Sequence, residues 1–512
     1  MSTKKILAVL LALFVLATAV SGCGNSGSSS ADSQSGSSAT SENSASTEDT
    51  ASTDGEVPTI SLMVVCGTTP PDADAVAEKL SEITREKIGC NVEFITMEIG
   101  NVAQQLNLLL SGGDDTLDVF MAGISVPYST IVNNGQALSL DTLMEPYAEE
   151  VKTALGEKVY ESGRVNGELY GIGRLLDQAS TTCYNLRRDI AEEFGYKNGD
   201  KVDLAELTEL FGKVREKYPD TPLIGPMNGV PSIGDSRIDS LGNKLGVLDN
   251  YGQDTTVTNY YESAGYEELV GYFKQWKEMG CYMADILNVT DAPIDYIPSG
   301  KAFGCFASHF SAEMNGIWSS QNFGTDIASL QIYEDAVAIT PGAYECINPA
   351  TKNPEAAAAL IYLMATDPDV ENLLINGIEG QHYQVLEDNT ATYVDGKDIS
   401  TTGWCLGYSW TALNSTISIP FEYPADYYDR MLAANKNAQQ SKAFGCQFDL
   451  TGVSDAVSAC TNVVNQYENA LSGGAVEDFD ATLAQFQQAL RDAGIDEIVA
   501  AKQEQLDAFL AG

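Results

Sequence analysis

The run Thr59-Ile60-Ser61-Leu62-Met63-Val64-Val65-Cys66 is dense in apolar and β-branched residues and reads as a buried β-strand. Outward from it, residues 72–88 place Ala73, Val76, Ala77, Leu80 and Ile83 on one helical face. A second strand is expected over 92–96. Val102, Leu106, Leu109 and Leu110 line a second helix that stops at Gly112-Gly113, and a third strand covers 117–121. This βαβαβ order predicts an α/β fold with a parallel sheet wrapped by helices. In such sheets ligands sit beyond the carboxyl ends of the strands. The rule selects Cys66-Gly67-Thr68-Thr69 and Ala122-Gly123-Ile124-Ser125, and with them Thr68, Ser125 and Tyr128 as candidate ligand contacts.

Further along, Asp203 caps a helix with Glu206 three residues on, and Leu207, Leu210, Phe211 and Val214 form its apolar face. Residues 266–279 make another, with Trp276 on the inward side. Asn353-Pro354-Glu355 opens a helix with proline in its first turn. The C-terminal part is helical, punctuated by Gly473-Gly474 and Gly494.

The 512 residues carry 28 basic and 72 acidic side chains, a formal charge of −44. Such a chain is repelled by nucleic acid and by anionic membrane surfaces. At the N-terminus, Lys4 and Lys5 precede an apolar run from Ile6 to Val20, followed by Val20-Ser21-Gly22-Cys23. This is the layout of a secretory signal over 1–22. The small residues before Cys23 resemble a bacterial lipobox, which implies lipidation of Cys23 and no other attachment to the membrane. Residues 23–56 are rich in Ser, Thr, Ala and Gly and are expected to form a disordered tether. The nine cysteines after Cys23 are odd in number and scattered, so no disulfide framework is expected.

Only two histidines occur, His309 and His382, and no His-x-x-x-His spacing. A P-loop, a Gly-x-Ser-x-Gly elbow and an EF-hand pattern are all missing from the sequence. No cofactor, metal or catalytic residue is therefore assigned.

Four segments together resemble family-1 extracellular solute-binding proteins. They are Asn166-Gly167-Glu168-Leu169-Tyr170-Gly171-Ile172, Tyr184-Asn185-Leu186-Arg187-Arg188-Asp189, Pro298-Ser299-Gly300-Lys301-Ala302-Phe303-Gly304, and 348–366 with Asn353-Pro354-Glu355. Gly377-Ile378-Glu379-Gly380-Gln381-His382-Tyr383 and the helical end are similar to a lipoprotein subgroup of that family. Gly173 stands where the family carries proline after the Tyr-Gly-Ile segment. The resemblance implies a two-lobe, periplasmic-binding-protein-like (type II) fold with a hinge, an inter-lobe cleft and a helical C-terminus. Lobe one would be 57–171 with 341–400, and lobe two 172–340 with 401–512. It also implies a monomer on the outer face of the cell membrane of a Gram-positive bacterium. There it would capture a small polar ligand, a sugar and specifically an oligosaccharide, and pass it to ABC permease subunits. A surface carbohydrate hydrolase and a sensing or adhesion protein are the alternatives.

Sugars ask for carboxylate, amide and hydroxyl partners and for flat aromatic platforms. The segment Trp404-Cys405-Leu406-Gly407-Tyr408-Ser409-Trp410 supplies three aromatic rings, and Trp318 a fourth. Each either faces the cleft or fills core space. Asp177 follows the Tyr-Gly-Ile segment and either accepts sugar hydroxyls or forms a hinge contact. Glu379, His382 and Tyr383 either touch ligand or fix the hinge. His309 completes the candidate set.

Overall fold

A computed structural model describes residues 57–112, 116–227, 233–398, 400–404 and 411–511. Cys23, the leader and the tether lie outside these residues, as do Tyr408 and Trp410. The first half supplies β1 (Thr59–Cys66), α1 (Ala73–Lys87), β2 (Asn91–Glu98), α2 (Val102–Ser111), β3 (Val119–Ala122), α3 (Tyr128–Asn133) and β4 (Gly171–Gly173). Then come β5 (Thr181–Arg187), α4 (Leu204–Lys217), α5 (Ala264–Glu278), β6 (Gly304–His309), α6 (Ala312–Phe323), β7 (Ile327–Gln331) and β8 (Tyr344–Ile347). The chain ends with α7 (Pro354–Thr366), α8 (Pro368–Asn376), α9 (Tyr427–Asn437), α10 (Ser454–Ser472), α11 (Phe479–Asp492) and α12 (Ile495–Ala511).

Two sheets organise two cores. The first sheet runs β2-β1-β3-β8-β4, with β1 parallel to β2 and β3, and β8 antiparallel to its neighbours. Every residue of β1 after Thr59 is buried because both faces of the sheet are covered. Ile60, Leu62 and Val64 point into a core shared with α1, α7 and α8. Met63 and Val65 point the other way, against Met97, Phe120 and Leu106. Alternation along a strand thus feeds two hydrophobic layers.

The second sheet is antiparallel, in the order β6-β5-β7. Its core packs Tyr184 and Phe306 against Phe211 of α4 and Trp276 of α5. The indole N–H of Trp276 donates to Thr208 Oγ at 2.8 Å, so this ring is core, as expected. Leu471, Phe486, Leu490, Ile495 and Ile498 enter the same core, which makes the C-terminal helices part of the second lobe.

Three chain segments run between the cores and are bonded to one another. Arg174 N–H donates to Ala343 O (3.2 Å), Leu175 N–H to Leu413 O (2.9 Å) and Ile339 N–H to Gln178 O (3.0 Å). The expected lobe boundary at 401 needs correction, because Trp404, Leu413 and Phe421 pack in the first core. The cause is local bonding: Leu413 N–H donates to Glu371 and the Asn414 amide to Ala365 O. Leu175 also remains in the first core, past the expected boundary at 172. No helix among the described residues is long and apolar enough to cross a membrane.

Candidate functional site

The carboxyl ends of β1 and β3 carry Thr68 and Ser125, both exposed. Tyr128 does not join them as a free group. It is buried, its hydroxyl donates to Gly163 O at 2.6 Å, and its ring stacks on Tyr344 at 4.1 Å. It instead forms the wall of a cavity of ≈ 410 Å³. The cavity lies between Gly123, Tyr128 and Gly342 on the first lobe and Ser240, Gln447 and Phe448 on the second. Two bonds bridge the lobes at this wall: Ser129 Oγ donates to Phe448 O (2.8 Å), and Gln447 Nε2 to Tyr344 Oη (2.7 Å).

The richest chemistry lies where the first crossing segment enters the second lobe. The side chain of Asn435, on α9, grips that segment. Its Oδ1 accepts from Gln178 N–H (2.9 Å) and Ala179 N–H (3.2 Å), and its Nδ2 donates to Leu176 O (2.7 Å). Asp177, between these bonded residues, is exposed to solvent beside Tyr427 of α9. Although the side chain reaches solvent, the protein packed around it desolvates the carboxyl and pushes it up to about 6, against the pull of Arg174.

Two turns before Asn435, the same helix presents Tyr427 next to Asp177. Tyr427 stacks on Tyr423 at 4.0 Å and meets Phe310 edge-on at 5.2 Å. The His309 ring lies 6.3 Å from Tyr427. Burial lowers His309 to about 4, so its imidazole is neutral near pH 7. Its Nδ1 has no hydrogen-bond partner among the described residues.

His309 is not alone in this. Gln178 Nε2, Thr181 Oγ, Ser236 Oγ and Tyr333 Oη are also buried without partners among the described residues. Thr181 pairs directly with His309 across β5 and β6. Tyr333 follows β7 at the same edge of the sheet, under the guanidinium of Arg237, next to Ser236 in sequence. Buried polar groups are normally satisfied, so a row of unsatisfied ones along one edge marks a place for water or ligand hydroxyls.

The structure therefore unites Asp177 and His309 beside Tyr427 and leaves the other described candidates apart. Trp404 is 4 % exposed, packed 5.9 Å from Phe94, with its indole N–H on Leu374 O. It is a core ring, not a platform. Trp318 is half-buried: it meets Phe323 edge-on and packs over a small core with Tyr296 and Ile327. His382 is fully buried: Nδ1 accepts from Ile378 N–H (2.9 Å) and Nε2 faces Asp72 Oδ2 (3.1 Å). Gly377, with φ 73°, has no room for a Cβ against the His382 ring. The Gly377–Tyr383 segment is thus a clasp onto α1. Glu379 is exposed beside Tyr383, away from the Asp177 group. Tyr423, Tyr427, Phe310 and Asn435 were missed, although the run Phe421-Glu-Tyr-Pro-Ala-Asp-Tyr-Tyr428 signals an aromatic cluster.

The eight described cysteines, Cys66, Cys90, Cys183, Cys281, Cys305, Cys346, Cys446 and Cys460, are all free and buried. Among the described residues no group of three His, Cys, Asp or Glu side chains is placed to hold a metal.

Two cores, an antiparallel β8 returning beside a parallel β1–β3 unit, and three crossing segments make this the fold of the two-domain extracellular solute-binding proteins. A crystal structure of the N-glycan transport solute binding protein NgtS from Streptococcus pneumoniae matches with a TM-score of 0.76 at 20% identity, over 89% of this chain and 99% of that one. A solute-binding protein from Bifidobacterium longum infantis, described as binding HMO, matches with a TM-score of 0.62 at 15% identity, over 88% and 99% of the two chains. In sequence, a carbohydrate ABC transporter substrate-binding protein of Streptococcus pneumoniae is 23% identical over 474 residues, 90% of this chain and 92% of that protein. Residues 442–511 match a family described as a domain of unknown function (DUF3502). This stretch includes α10 to α12 and the Gln447–Phe448 wall of the cavity.

Proposed function

We propose that this chain is the extracellular capture component of an ATP-driven carbohydrate importer. It would hold an oligosaccharide between its lobes and deliver it, unbroken, to permease subunits. The observation that carries the reading is the edge at the lobe crossing: the Asp177 carboxylate, a stacked tyrosine pair and polar atoms without partners among the described residues. Ring faces suit the C–H patches of sugars, and Asp177, Gln178 and Thr181 suit their hydroxyls. The relatives support the same reading, being a carbohydrate transporter's binding protein and binding proteins for N-glycan and HMO.

A hinge supports it as well. The TM-score to NgtS falls from 0.76 to 0.69 and 0.65 in its complexes with Man1GlcNAc and Man5GlcNAc. A difference in lobe angle between this chain and a sugar-bound relative gives such a drop. A ligand that touches both lobes shifts the population toward the closed form by its differential affinity. Thr68 and Ser125 of the first lobe would meet the ligand on closure. The lipid on Cys23 and the tether over 23–56 would hold a monomer at the outer face of the membrane, within reach of the permease.

Titration calorimetry against a panel of mannose-type, milk-type and uronate oligosaccharides tests this, with reducing ends assayed in parallel. Saturable binding with no new reducing ends is expected. Steady release of reducing ends, or no heat with any glycan, would defeat the proposal.

A further inference from the structure

Three buried ionisable side chains meet where the three crossing segments meet. Arg174, 4 % exposed, leaves β4 in the first segment. Its backbone N–H donates to Ala343 O in the second, and its Nε donates to Ala412 O in the third at 2.6 Å. Glu345, fully buried, sits in β8 at the end of the second segment. Glu371 of α8, also fully buried, accepts Leu413 N–H of the third at 3.0 Å. Both oxygens of Glu345, Oε2 of Glu371 and Nη2 of Arg174 have no hydrogen-bond partner among the described residues.

The charges do not balance if all three groups ionise, since two carboxylates face one guanidinium in a dry site. An uncompensated buried charge is strongly unfavourable and is removed by binding a proton. Burial raises both Glu345 and Glu371 and pulls Arg174 down, while the guanidinium draws each acid back toward its ionised form, so one of the two carboxyls stays charged opposite Arg174. The other titratable groups facing the cluster supply no positive charge. They are Asp177 toward Arg174, Cys346 beside Glu345 and Tyr428 of α9 toward Glu371.

We propose that the hinge holds one proton, carried by either Glu345 or Glu371, and that this proton fixes the angle between the lobes. Coupled carboxyls lose such a proton as a pair, not as separate residues. Its loss leaves a net negative charge at the junction of the crossing segments. Hydrating that charge requires the segments to part. The lobe angle of the ligand-free protein then changes as the pH rises from neutral to about 9, the range in which such a raised carboxyl ionises.

The counting gives a sharp test in the full chain without ligand. Changing either acid alone, Glu345→Gln or Glu371→Gln, leaves one carboxylate against one guanidinium, which needs no proton. Infrared difference spectra at neutral pH, wild type minus either variant, should therefore show the C=O band of a protonated carboxylic acid. Small-angle scattering of the wild type should change between pH 7 and about 9, and that of each variant should not. The proposal is overturned if the difference spectra lack that band. It is equally overturned if wild type and variants follow the same scattering course with pH. Neither measurement uses a sugar, so its failure is distinct from a failure of the binding role.

Discussion

Replacing Lys502 by methionine keeps the length of the side chain and removes its charge. Lys502 lies in α12 and is fully buried. Its ammonium donates to Asn243 Oδ1 (2.7 Å), Leu241 O (3.0 Å) and Gly246 O (3.1 Å). Burial pulls the group down to about 7, against the attraction of Asp239, yet three acceptors use all three N–H bonds of the charged form. The loop it holds is not a relaxed one, with Leu241 at φ 44° and Lys244 at φ 59°. Each hydrogen bond to a charged group is worth about 1.5–3 kcal/mol, and the cost of burying the ammonium offsets part of that sum. Removing the ammonium leaves three acceptors buried and unpaired at about 1–3 kcal/mol each, and relief of the charge-burial cost offsets part of that, leaving a net loss of about 3–5 kcal/mol. We expect Lys502→Met to lose about that much in urea unfolding at pH 6, where the wild-type group is charged. Less than about 1 kcal/mol would refute the argument that α12 anchors the 241–246 loop, since a surface substitution costs as little.

Other outcomes follow from the same geometry. Tyr427→Ala removes the ring beside Asp177 and should weaken oligosaccharide binding by about 1–2 kcal/mol, roughly 5–30-fold, in calorimetry with the fold intact by circular dichroism. Asp177 has a raised folded value of about 6, so its carboxylate is lost as pH falls through that value. A charge-assisted bond to a sugar hydroxyl is lost with it. Affinity should therefore drop between pH 7 and about 5 in the wild type and stay flat in Asp177→Asn. The same raised value makes Asp177 destabilising to the fold as pH rises from its unfolded range to about 6, so unfolding should be slightly harder at the acid end. The eight buried thiols should resist a thiol reagent in the native protein and react once it is unfolded, because burial raises their values and blocks access.

Three strands of the first lobe's sheet, β1 to β3, were legible because they are local; β8 and β4, which make the sheet mixed where a parallel one was expected, join it from far along the chain. β1 and its flanking helix carry an apolar run and a helical stripe that depend on no distant residue. The cap at Asp203 was equally local, and its side chain accepts from Glu206 N–H at 2.7 Å. The hinge was not legible, because its bonds join residues far apart in the chain, such as Arg174 and Ala412. The same limit explains the aromatic rings. Trp404 and Tyr427 both lie in aromatic-rich stretches. What separates them is that Trp404 packs behind α8, whereas α9 turns Tyr427 toward Asp177. Composition shows that rings are present but not which side of a lobe they face.

The most direct test of the binding role is a crystal structure of the chain with an oligosaccharide such as Man5GlcNAc, the ligand held by the related NgtS. The account predicts a sugar ring on Tyr423 or Tyr427, a hydroxyl on Asp177 and the first lobe closed onto it through the Thr68 loop. A glycan bound elsewhere, with those three residues untouched, would contradict it.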